Sequence, residues 1–153
     1  MRSGPGEPRQ KLSFDTKSAH LKLVGGAGLI PAAAAAVEHF AEESGLDESV
    51  SEGLVAACEQ VCSDALGRLE GEGGVLEVAI EQFPDRIEIG ILHPSTSGPA
   101  VGLDTFLGTA TGSADGIGAS LLTRVDRVRY DTVGQTSRMI LVKYLPGAHK
   151  TAN

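Results

Sequence analysis

The chain has no tryptophan, and only two tyrosines and four phenylalanines among its 153 residues. A core built on large aromatic rings is excluded, so Ala, Val, Leu and Ile must fill it. Basic residues are also in short supply: 13 Lys and Arg stand against 20 Asp and Glu, for a formal net charge of −7. That balance argues against non-specific binding to DNA or RNA. No apolar run reaches membrane-spanning length, and no positive-then-apolar signal opens the chain. The expectation is a cytoplasmic protein with neither a nucleic-acid nor a membrane partner. Cysteine is limited to Cys58 and Cys62. Two thiols alone make a poor zinc site, and nothing asks for an oxidising compartment, so they read as small buried side chains.

What is present has a clear order. Residues 1–10 are rich in Gly, Pro and charge and read as a disordered arm, residues 11–146 as one domain, and 147–153 as a frayed tail. Lys11–Phe14 and Leu21–Val24 flank a polar turn at Asp15–Ser18 and read as an edge hairpin. Pro31 opens a helix with the apolar stripe Ile30, Ala33, Val37, Phe40 and Ala41, and Gly45 closes it. The alanine run 32–36 inside it suits close contact with another backbone. Ser49 and Glu52 form a capping box before a second helix, Ser51 to Leu69. Its apolar positions are Leu54, Ala57, Cys58, Val61, Cys62, Ala65 and Leu69, with Gln60, Asp64 and Arg68 on an adjacent stripe.

Period-two alternation marks strands at Val75–Gln82 and Arg86–Leu92, joined at Pro84-Asp85. Residues 93–114 read as a long loop. Asp115 then caps a short helix from Gly116 to Thr123, whose Gly116-Ile117-Gly118 start points free amides outward, as a phosphate would need. Strands Val125–Asp131 and Arg138–Leu145 close the domain around a turn at Val133–Gln135. Their arginines, Arg124, Arg127, Arg129 and Arg138, read as solvated strand faces. Hairpins without βαβ crossovers predict an α+β two-layer sandwich, a mixed or antiparallel sheet with helices on one face.

This order resembles the anti-sigma-factor serine kinases of the histidine-kinase-like and Hsp90-like ATPase superfamily. The likeness spans residues 20–145. Its most specific parts are Gly116-Ile117-Gly118 with Leu121-Leu122, Val125-Asp126, and Ile140-Leu141-Val142-Lys143-Tyr144-Leu145. The resemblance implies a helix bearing Glu as base, Asn four residues on as magnesium ligand, and often His after four more. Gln60, Asp64 and Arg68 fall at those three places. A register shifted by one recovers Glu59 but puts Ser63 at the Asn place and turns the apolar stripe away. Gln60 takes no proton at neutral pH, while Asp64 is a hard oxygen ligand suited to magnesium. The family's Asp-x-Gly-x-Gly adenine anchor falls on His93-Pro94-Ser95-Thr96-Ser97, which lacks the Asp and both glycines.

The resemblance therefore implies an ATP and magnesium pocket with two of three motifs degraded. The expected function is a regulatory protein-binding module of bacterial transcription control, a degenerate kinase with weak or lost ATP binding. Its implied partner is a sigma factor or an anti-sigma antagonist. One alternative is an active serine kinase, with Glu59 or Asp104 as base and Gly116 and Gly118 cradling phosphate. Another is a dimerisation domain, since such domains pair as homodimers through the sheet or the first helices.

Overall fold

The computed structural model describes residues 16–69, 75–94, 121 and 123–146. Strand β1 is Lys17–Leu23, helix α1 Ile30–Glu43, helix α2 Glu48–Leu69, β2 Leu76–Gln82, β3 Arg86–Pro94, β4 Arg127–Val133 and β5 Thr136–Tyr144. The strands form one sheet in the order β1-β2-β3-β5-β4, antiparallel at every step. The architecture is α+β, as the hairpin-rich sequence predicts. The expected arm at 1–10, the tail at 147–153 and the strand at Lys11–Phe14 lie outside the described residues.

Register sorts the sheet into two unlike faces. One face carries Leu21, Val78, Ile91, Met139 and Tyr130 in a cross-strand row, and beside it Ile80, Ile89, Leu141 and Val128 in a second. All of these belong to, or pack against, a single apolar core cluster with Val37 and Ala41 of α1 and Leu54, Cys58, Val61 and Ala65 of α2. The opposite face holds His20, Ala79, Gly90, Ile140 and Arg129 in one row, and Ser18, Glu81, Glu88, Val142 and Arg127 in the next. Ile140 and Val142 are buried there too. Glu88 pairs with Arg129, whose alkyl stem can cover apolar surface while its head stays wet.

Helix α1 ends where glycine allows it. Gly45 has a left-handed φ of +82°, its N–H donates to the Glu42 carbonyl, and the Leu46 N–H reaches back to the Ala41 carbonyl. This Schellman pattern satisfies the last carbonyls and delivers Leu46 to the core edge. Pro31 sits in the first turn as expected. Of the alanine run, Ala33 and Ala34 are buried inside the chain and Ala32 and Ala35 are exposed.

Several boundaries differ from the sequence reading. Lys17 and Ser18 are not a turn: they pair with Gln82 and Glu81 in β1, because backbone pairing to β2 outweighs their polarity. Helix α2 starts at Glu48 rather than Ser51, and the Ser51 N–H already donates to the Asp47 carbonyl at 2.8 Å. The N-cap position is therefore Asp47, and Ser49 and Glu52 lie inside the helix. His93 and Pro94 extend β3 by pairing with Ser137 and Thr136, where a loop was expected. Strand β4 begins at Arg127 because Asp126 acts as a terminal clamp: its Oδ2 accepts from the Tyr144 N–H at 2.8 Å. The β4–β5 turn is a tight pair at Gly134-Gln135, with Gly134 at φ +61°.

Candidate functional site

Helix α2 carries the stripe that the resemblance singles out. Leu54, Ala57, Cys58, Val61, Cys62 and Ala65 are buried, so Gln60 and Asp64 sit half-buried at the edge of the core face. Glu59, one position earlier, is exposed. Arg68 continues the helix, its side chain lying outside the described residues.

Gln60 is engaged by a residue that the sequence reading left on a solvated strand. Leu121, Thr123 and Arg124 are helical, and the Val125 N–H donates to the Leu121 carbonyl at 2.9 Å. Leu121 is fully buried in the core, which brings this helical end to α2. Arg124 then lies along α2. Its alkyl carbons stand 3.6–3.7 Å from where a Cβ on Gly53 would be, and its guanidinium donates to Gln60 Oε1 at 2.9 Å. Gly53 and Gln60 are two helical turns apart on one face, so a single extended arginine spans both. The Gln60 amide oxygen is thus an acceptor bonded to a cation, and an amide takes no proton at neutral pH.

His93 lies near the end of β3 and is only 6% exposed. Its Nδ1 is 2.7 Å from the Pro94 carbonyl oxygen. A carbonyl only accepts, so Nδ1 carries the hydrogen. The groove beside His93 is lined by Lys22, Val75, Glu77, Leu92, Pro94 and Thr136. It contains neither Gln60 nor Asp64. Two further grooves, one on the sheet around Gly90 and one between the helices, also lack all three residues. Among the described residues, Asp64 belongs to no cluster of carboxylate, imidazole or thiol groups able to hold a metal ion. Gly116, Gly118, Asp104 and Ser95–Ser97, the other expected parts of a nucleotide pocket, lie outside the described residues.

The thiols behave as structural groups. Cys58 and Cys62 are fully buried and free, with their sulfurs 3.9 Å apart. Contact with Cys62 first, and burial second, raise the Cys58 thiol well above its usual range. A thiol held neutral this way is a poor nucleophile.

The polar face of the sheet holds the densest charge network. Glu88, 9% exposed, accepts from Arg86 Nε at 2.6 Å and from Arg129 at 3.2 Å. Arg86 also binds Asp85 and lies 4.2 Å over the Phe83 ring, and its hydrogen bond to Glu88 leads in raising its pKa. Arg138 bonds Asp131, and that bond first of all holds the Asp131 carboxyl below the usual carboxylate range. Arg129 and Arg138 are therefore ion-paired on a strand face that leaves them partly solvated.

Between the helices lies a groove of about 450 Å³ lined by Glu38, Glu42, Leu46, Glu48, Ser51, Glu52, Val55, Ala56 and Glu59. The acidic excess of residues 38–88 is visible in the sequence, but its convergence from two helices is not. No protein-family model matches this chain, and no curated protein matches it.

Proposed function

We propose that this chain is a regulatory protein-binding module related to the anti-sigma-factor kinases, one that has given up phosphoryl transfer. In this reading its helices form a second layer on the apolar face of the sheet, as in the histidine-kinase-like ATPase fold. The partner is a sigma factor or an anti-sigma antagonist, and the setting is bacterial transcription control. The observation that carries the loss of catalysis is the Arg124–Gln60 hydrogen bond: the position that needs a base holds an amide committed to an arginine. His93, where an aspartate would anchor adenine, adds to it: a buried imidazole bonded through Nδ1 to the Pro94 carbonyl stands in place of a carboxylate with two acceptor oxygens.

The test is to incubate the purified chain with magnesium, γ-labelled ATP and a panel of sigma factors and serine-bearing antagonists. The expected result is a stable complex on size-exclusion chromatography with one member of the panel and no label transferred. Phosphorylation of an antagonist serine would overturn the proposal and favour an active kinase. Absence of any complex, with a dimer by light scattering, would favour a dimerisation domain.

A further inference from the structure

The groove between α1 and α2 has a composition that folding alone does not account for. Five glutamates line it, Glu38 and Glu42 from α1 and Glu48, Glu52 and Glu59 from α2, with no Lys, Arg or His. None of the five makes an ion pair with another described residue. Glu38 with Glu42, and Glu48 with Glu52, are like-charge pairs four apart, a spacing that weakens a helix. Glu48 gains from the α2 N-terminal dipole, but Glu42 stands in the last turn of α1, which holds no basic residue. An acid there opposes the dipole. The floor is apolar and half-open: Leu46, Val55 and Ala56.

A second, independent observation sits in that lining. Ser51 is 5% exposed, and its Oγ has no hydrogen-bond partner. A helical serine usually returns its hydroxyl to a carbonyl one turn back, and leaving it unpaired costs free energy. The groove thus offers a rim of uncompensated negative charge, an apolar floor and one orphaned hydroxyl. The carboxylates are strung along two helices and form no metal-holding cluster among the described residues, which fits an extended cationic partner rather than a point cation.

We infer that the α1–α2 groove docks a basic segment of a partner protein. An apolar side chain of that segment rests on Leu46, Val55 and Ala56, and Lys or Arg side chains on either side reach the glutamates. Ser51 Oγ meets a polar group of the same segment. The inference rests on the reading of the chain as a protein-binding module and adds the partner's charge and the face that receives it.

The experiment is an NMR titration of the full chain with a short labelled peptide of Lys, Arg and Leu at helical spacing, and with its Glu-for-Lys counterpart. The basic peptide is expected to shift resonances within residues 38–59 and to weaken steeply with added salt. The acidic peptide is expected not to bind. Glu42→Lys with Glu52→Lys should weaken binding at least about tenfold, and Glu42→Gln with Glu52→Gln should weaken it less while keeping the fold. Ser51→Ala should leave the free protein as stable as before or more so, yet weaken the peptide about threefold. Perturbations centred on the Glu81–Glu88 face, unchanged affinity in both double variants, or displacement by an equal concentration of spermidine would each overturn the inference. Label transfer to an antagonist would overturn the proposed function while leaving this result standing.

Discussion

Gln60 and Arg124 are 64 residues apart in sequence and 2.9 Å apart in space. Helix periodicity placed Gln60 at the edge of the core, but nothing local announces its partner, because the contact depends on Leu121 being drawn into the core from a distant segment. One charge-assisted bond at a half-buried site is worth about 1–2 kcal/mol. Arg124→Ala and Gln60→Ala are each expected to lower stability by roughly that amount. The double variant should lose less than the sum, as read from urea midpoints, and strict additivity would show that the bond contributes nothing. The Cys58 thiol carries its own pH signature. Its folded pKa is raised, so the neutral thiol is the form the fold favours. That contribution is complete below the unfolded thiol value of about 8.5 and is lost as pH rises toward the folded value. Stability of the wild type should therefore fall faster above about pH 8.5 than that of Cys58→Ala. Parallel curves would remove the thiol from the account.

At the scale of elements, the sequence was most legible where a period survives on one face. Leu76, Val78 and Ile80, and Ile87, Ile89 and Ile91, alternate cleanly and all are core residues. The stripe Leu54 to Ala65 likewise appears in full. Legibility failed at ends that tertiary contacts decide: Lys17 and Ser18 join β1 through β2, and Asp126 stops β4 by capping Tyr144. Helix α2 also contains two glycines that the fold does not require. A Cβ at Gly67 meets nothing within 4 Å, and one at Gly53 meets only Arg124 side-chain carbons at ordinary contact distance. Each Gly→Ala change should stabilise by about 0.5–1 kcal/mol in thermal unfolding, and a loss at Gly53 would show that Arg124 needs the space. In the β4–β5 hairpin, Arg138 depresses the Asp131 pKa. The stabilisation is present above the ordinary carboxylate value of about 3.9 and disappears as pH falls through the lower folded value. Asp131→Asn should therefore be less stable than wild type at neutral pH and converge with it in acid.

At the scale of the whole molecule, the two sides differ in kind. The sheet face beyond the core mixes both signs of charge, with Glu88 between Arg86 and Arg129. The helix side leaves a run of glutamates unpaired among the described residues. The α+β architecture could be read from the sequence because it rests on periodicity. The candidate site could be read only in part, because its walls come from segments whose approach no local pattern encodes, and because Gly116 and Gly118 fall outside the described residues. In the proposed function this fold recognises proteins without nucleotide chemistry. The most direct test of this reading is a calorimetric and thermal-shift titration of the full chain with Mg-ATP and Mg-ADP. No heat of binding and no change in Tm are expected at millimolar nucleotide. A Tm that climbs with nucleotide concentration, as mass action requires of a true ligand, would contradict it.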